Sequence, residues 1–249
     1  MKIVDQKYRP LLILHGWRGS SESWTTVKEL LTKQGFRVYA PDLPGFGKSE
    51  APGASKDGTQ GWSVDDYVEA VQDMMRHWKL SRVSLLGHSF GGRIAIKLAS
   101  QHPEKVEKLI LVASAGIKNP PSLRMRLASV SAVLGKRLFS LPFLRPFSAL
   151  ARRALYGFSG SHDYEHVGKN RETFLKVISE DLRPYLSRIS APTLILWGDR
   201  DKMTPATSAH IMAKEIPNAT LKIFPEVRHG VHLEVPEELA KSVSQFLNS

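Results

Sequence analysis

The chain has 249 residues, of which 42% are hydrophobic and 24% charged, with a formal net charge of +11. A fold of this length buries roughly 70–75% of the surface its unfolded chain exposes, so it is globular, without need of staples, and too short for two full-sized domains. The absence of cysteine excludes disulfide frameworks, thiolate zinc sites, iron–sulfur clusters and a thiol nucleophile.

In chain order, Leu11-Leu12-Ile13-Leu14 is a short continuous apolar run ended by His15-Gly16, which predicts a strand buried on both faces. From Ser23 to Gln34 the spacing of Trp24, Val27, Leu30 and Leu31 is helical and stops at Gly35, a residue suited to ending a helix. Phe36–Ala40 predicts a second strand and Val64–Trp78 a helix, with Ser63 placed to cap its first amides. Val83–Leu86 reads as a strand, Gly91–Gln101 as a helix, and Leu109–Val112, Thr193–Leu196 and Leu221–Phe224 as further strands. The last helix runs from about Pro236 to Leu247, with proline in a favoured first-turn position.

Short apolar strands alternating with helices predict an α/β fold with a mostly parallel sheet covered on both faces. The alternation breaks between Ile117 and about Ser190, a stretch with Pro120-Pro121, Pro142 and Pro146 and no convincing strand. The expected organisation is therefore a core of residues 1–116 and 191–249 interrupted by a helical insertion over 117–190. Between Ile117 and Gly160 lie Lys118, Arg124, Arg126, Lys136, Arg137, Arg145, Arg152 and Arg153 and no acid, so most of the +11 excess belongs to that one segment. Leu123, Leu127, Val130, Val133 and Leu134 share a helical face there. The simplest reading is a cap whose apolar face covers a site and whose charges face water. Weak contact with an anionic membrane surface comes second and steering of an anionic substrate third. Nucleic acid is disfavoured, because no recognition motif accompanies the charge.

The most specific chemical signal is Gly87-His88-Ser89-Phe90-Gly91, following one buried strand and opening a helix, which is the context of a G-x-S-x-G nucleophile elbow. Glycines two residues either side remove side chains that would collide in so tight a turn, and the serine is lifted to the positive end of the next helix. A serine hydroxyl needs a base, and the base needs an orienting acid. Gly198-Asp199-Arg200-Asp201 and Arg228-His229-Gly230-Val231-His232 follow successive later strands, so both lie beyond strand carboxyl ends, where open α/β sheets gather their sites.

His15-Gly16 after the first strand, Asp42-Leu43-Pro44-Gly45-Phe46-Gly47-Lys48-Ser49, the elbow, Gly198–Asp201 and His229–Pro236 together make the chain resemble the α/β-hydrolase superfamily over essentially its whole length. The resemblance implies a six- to seven-stranded sheet with a helical cap, and the early antiparallel strands of that fold are short or missing. It implies Ser89 as nucleophile, Asp201 rather than Asp199 as acid, and His229 as base, leaving His232 a packing or supporting role. It also implies an oxyanion hole from the amides of Trp17 and Phe90. His15, Gly16, Trp17 and His88 are the expected substrate-binding residues, with the Trp17 indole either a wall of the acyl pocket or equally a hydrophobic plug beneath the cap, and His88 a packed elbow residue rather than a second base. Arg228 stands where relatives usually carry glycine, either lowering the base's pKa or pointing to solvent.

The expected reaction is hydrolysis of a small-molecule carboxylic ester without metal or organic cofactor. Lactones, amides and carbon–carbon bonds are alternatives for the same triad, and a silent ligand-binding homologue is a further one. Expected states are a monomer or homodimer in the cytoplasm, since no apolar run reaches the ~20 residues that cross a bilayer and Met1–Lys7 lacks the apolar core of a secretory signal. Two other signals carry little weight. Gly45–Ser49 ends like a phosphate loop, but its first glycine would fall at Asp42, so it reads as a structural turn. His162-Asp163-Tyr164-Glu165-His166 resembles a metal cluster only in composition and reads as a polar turn.

Overall fold

The computed structural model of the chain describes residues 10–51, 53, 55, 61–118 and 170–249. Residues 1–9 before the first strand, the apolar face Leu123–Leu134 of the expected cap, seven of the eight cations named between Ile117 and Gly160, and the His162–His166 turn lie outside them. The chain divides into two compact units, Met1–Lys118 with Glu172–Ser249 and Asn119–Arg171, of which the first is described here.

Its strands are β1 (Pro10–Leu14), β2 (Arg37–Tyr39), β3 (Val83–His88), β4 (Val106–Val112), β5 (Thr193–Gly198) and β6 (Ala219–Phe224). They form one six-stranded sheet in the order β2-β1-β3-β4-β5-β6, and every pairing is parallel. The chain winds from β1 outward to β2, then crosses back to β3 on the other side of β1. The order therefore reverses between β1 and β3, and the crevice beyond their carboxyl ends is where such sheets bind ligands. Every residue of β3 and β5 is buried, whereas the edge strands β2 and β6 are partly exposed. This is why the central strands are mostly apolar, whereas the edge strands carry Arg37 and Lys222.

Helices α1 (Thr25–Lys33), α2 (Val64–His77) and α3 (Phe90–Gln101) connect the first four strands. The Ser63 prediction holds: its hydroxyl accepts from the Asp66 amide at 3.2 Å and Asp66 Oδ2 accepts from the Ser63 amide at 2.7 Å, a reciprocal cap. The predicted first helix begins instead as a tight 3₁₀ turn over Ser21–Trp24. Toward the C-terminus stand α4 (Arg171–Ser179), α5 (Arg183–Leu186), α6 (Ala206–Glu215), α7 (Val231–Glu234) and α8 (Pro236–Asn248).

Helix α3 runs through the middle of the unit and is buried along most of its length, which leaves Lys97 only 1% exposed. Its ammonium donates to Asp65 Oδ2 at 2.6 Å and Glu180 Oε1 at 2.7 Å, while Arg93, also buried, donates to the Glu180 carbonyl at 2.9 Å. A buried cation is tolerated when it is paired on this scale. These contacts tie α2, α3 and the segment after α4 together. Replacing Lys97 by Ala leaves Glu180 Oε1 with, among the described residues, only the Tyr185 hydroxyl at 3.4 Å and opens a void. The expected loss is about 1–3 kcal/mol, moderated because both carboxylates are partly exposed, seen as a thermal midpoint lowered by roughly 3–10 °C. Lys97→Met should recover part of it, and melting curves of the three proteins check the order.

Candidate active site

Strand β3 ends at His88, and α3 begins at Phe90, so a single residue makes the reversal. Ser89 takes it with φ 51° and ψ −113°, a backbone conformation that costs of order 1–3 kcal/mol and persists only where its surroundings enforce it. The surroundings are glycines. A Cβ on Gly87 would lie 2.7 Å from the Gly92 Cα, one on Gly91 would meet the Leu14 carbonyl and lie 2.7 Å from the His15 carbonyl oxygen, and one on Gly92 would strike the Ser114 side chain. The end of β1 and the first turn of α3 thus pass within backbone contact. The turn is held by the Ser89 amide donating to the Val112 carbonyl at 3.1 Å and by the Ser89 carbonyl accepting from the Ala115 amide at 3.0 Å.

The loop after β1 passes beside this serine. A Cβ on Gly16 would lie 3.2 Å from Ser89 Cβ and 2.9 Å from His88 Nδ1. His15 is 1% exposed; Nδ1 lies 2.8 Å from the Gly16 carbonyl, and Nε2 accepts from the Leu43 amide at 2.9 Å. With both nitrogens committed to main chain, His15 shapes the loop and has none left for a substrate. Asp42 performs the matching task on the facing loop, accepting from the amides of Ser21 at 2.6 Å and Lys48 at 2.8 Å. Gly45–Ser49 is therefore the structural turn the sequence predicts.

Phe90, as the first residue of α3, presents one of the amides a helix leaves unpaired at its start, and among the described residues no acceptor takes the Trp17 amide. The Trp17 indole packs edge-on against Phe46 and Phe90 at 4.9 and 5.2 Å and against Phe174 at 5.1 Å. It remains half-buried between core and surface.

The other side of the site is built by the loops after β5 and β6. A Cβ on Gly198 would strike the Val227 carbonyl, so glycine lets the two loops touch. Asp199 is exposed, whereas Asp201 is buried. Asp201 Oδ1 accepts from the amides of Met203 and Thr204 at 2.8 and 2.9 Å. Its Oδ2 accepts from His229 Nδ1 at 2.8 Å and from the Thr204 hydroxyl at 2.7 Å. Burial alone would raise this carboxyl's pKa; the bonds from His229 and Thr204 outweigh it and hold the pKa below its ordinary value. Thr204, which also reaches the Ala113 carbonyl at 3.1 Å, was not singled out by the sequence. Its signal is a hydroxyl three residues after an aspartate, the spacing of a local turn.

His229 sits at the rim with 16% of its side chain exposed, beside an open groove of about 710 Å³ lined in part by Asp201, Met203 and Arg228. Arg228 points outward, 75% exposed and 3.3 Å from Glu234 Oε2. His88 is buried, with Nε2 3.1 Å from the His229 carbonyl oxygen and ring centroids 4.9 Å apart. Ser89 and His229 thus occupy the same rim, although no hydrogen bond joins their side chains. Catalytic contacts are often long before substrate binds.

The chain belongs to the α/β-hydrolase-fold family, whose sequence model matches residues 9–137 and 139–236. It is 33% identical to the pimeloyl-[acyl-carrier protein] methyl ester esterase of Nitrosomonas europaea over 92% of this chain and 91% of that protein. Among solved structures it is similar to one described as a membrane phospholipase A and bacterial virulence factor, at TM-score 0.73 and 26% identity, covering 98% of this chain and 80% of that one. An esterase from Exiguobacterium antarcticum shares the fold at TM-score 0.72 and 24% identity, over 97% and 92% of the two chains. No helix among the described residues is long and apolar enough to cross a membrane.

His232 stacks on Trp24 with centroids 4.4 Å apart and planes within 4°. Burial, with repulsion from His229 second, lowers its pKa to about 4, and burial pushes His88 down in the same direction. Both rings are neutral when folded and take up protons on unfolding. Stability is therefore full above about pH 6.5 and falls as pH drops from there toward 4, by at most about 3 kcal/mol from His232. His232→Phe, which keeps the stack, should flatten that limb when urea midpoints are measured against pH.

Proposed function

We propose that this chain is a serine hydrolase that cleaves carboxylic esters through an acyl-enzyme on Ser89. The observation that carries the reading is the Asp201–His229 hydrogen bond of 2.8 Å at the rim that also holds the positive-φ serine. With Nδ1 committed to an ionised carboxylate, Nε2 is the ring's free base. It takes the Ser89 proton as Oγ attacks the ester carbonyl, closing onto the hydroxyl once substrate is bound. The amides of Trp17 and Phe90 receive the oxyanion, with the N-terminus of α3 adding its positive end. The imidazolium then protonates the departing alcohol. Water enters, gives its proton to the same nitrogen and attacks the acyl-enzyme, and release of the acid restores Ser89. An ester is favoured over the other bonds this triad can break because the 33% identical relative is a methyl ester esterase.

Substituting Ser89 by Ala should lower kcat on short p-nitrophenyl esters by about 10³-fold or more, with the fold intact by circular dichroism. Asp201→Asn, which leaves the shape but invites the wrong tautomer of His229, should cost about 10³–10⁴-fold. Turnover by Ser89→Ala at the parent rate would remove the serine from the mechanism.

A further inference from the structure

Behind His229 lies a group of rings that the reaction above does not use. His88 stands 4.6 Å from the His232 ring and 6.0 Å from Trp24, and it is 6% exposed. Its Nε2 is 3.1 Å from the carbonyl oxygen of His229. A carbonyl only accepts, so Nε2 carries the proton and Nδ1 is bare. That bare Nδ1 is buried without a partner among the described residues, as are His232 Nδ1 and Trp24 Nε1. Three unpaired polar atoms around one spot are costly in an interior, and plain packing would be better served by apolar side chains of the same shape.

The position explains the choice of residue. His88 immediately precedes Ser89 in the chain, its ring abuts Gly16, and its Nε2 meets the main chain of His229. One side chain thus touches the loop after β1, the elbow, and the loop that carries the base. The His229 ring is anchored at a single edge, through Nδ1 to Asp201 and Thr204, and a ring held at one edge can pivot about that edge. A second hold, on its main chain, fixes the point from which the ring swings.

We infer that His88 is a positioning residue: by donating from Nε2 to the His229 carbonyl it sets the height at which that imidazole can reach Ser89 while staying on Asp201. This rests on the reading of His229 as the base. Among the described residues, the groups facing His229 are Asp201 and Thr204 from the loop after β5 and His88 from β3, with His232 of α7 near enough for their charges to repel and Arg228 turned out toward Glu234. Because the two neighbouring rings are neutral, the imidazolium formed during catalysis meets the charge of Asp201 and, among the described residues, no buried cation. Histidine supplies a rigid, neutral donor in this place; lysine or arginine would bring a charge.

The test compares His88→Phe, which keeps the ring's bulk but loses the donor, with His88→Gln, whose amide can still donate. With p-nitrophenyl butyrate the phenylalanine variant should lose about 10–100-fold in kcat with KM held within about twofold, and glutamine should restore most of the loss. The downfield Nδ1 proton of His229, followed by NMR in a Ser89→Ala background, should shift or broaden with phenylalanine and hold with glutamine. In the parent protein, ¹⁵N shifts should show His88 as the neutral Nε2–H tautomer from about pH 6 to 8, a readout that needs no variant to fold. An Nδ1–H or charged ring there, or a phenylalanine variant with the parent's kcat and His229 resonance, overturns the inference. If Ser89→Ala is inactive while His88→Phe is unimpaired, the positioning role alone fails; if Ser89→Ala is active, the reading beneath it fails.

Discussion

The left-handed turn at Ser89 is the constraint on which the rest of the site depends. A strand cannot hand over to a helix in one residue unless the chains on either side come within backbone contact, and here the β1 carbonyls rest against Gly91. That approach brings the Gly16-Trp17 loop beside the serine and sets the start of α3 beneath it. The same three glycines therefore give the serine its strained geometry, the neighbouring loop its place and the first amides of α3 their direction. A methyl group at Gly91 would separate β1 from α3 and disturb all three together.

The second half of the site is a problem in satisfying a buried charge. Asp201 has no exposed side-chain surface, so its carboxylate survives only because both oxygens are fully bonded. Two amides of its own loop bind one oxygen, and Thr204 and His229 share the other. An acid held ionised in this way fixes which nitrogen of His229 keeps its proton. The buried, neutral rings of His88 and His232 complete the surroundings without adding a competing charge.

How much of this was legible in the sequence varies with how local the cause is. The elbow could be read because its glycines are spaced by the turn itself, and β3 because full burial leaves Val83, Leu85 and Leu86 apolar around the single small Ser84. The choice of Asp201 over Asp199 came from likeness to relatives; the structure shows its physical counterpart, one side chain buried and the other exposed. Helix α6 went unnoticed because its buried side includes Ser208 and Ala209, which carry little apolar signal. Strand β6 extends two residues beyond the expected Leu221–Phe224 because it lies at an edge and begins with Ala219 and Thr220, which carry little apolar signal. Thr204 has only the weak local signal of a hydroxyl three residues after Asp201, and the His88–His229 contact joins residues far apart in the chain, so no local pattern announces it.

The most direct measurement of the central claim is a crystal structure of the protein treated with a fluorophosphonate ester. The account predicts phosphorus bonded to Ser89 Oγ, with its free oxygen about 2.7–3.1 Å from the amides of both Trp17 and Phe90 and His229 Nε2 within hydrogen-bonding distance of the adduct. Phosphorus on another residue, or on Ser89 with that oxygen turned away from both amides and the His229 ring out of reach, would contradict it.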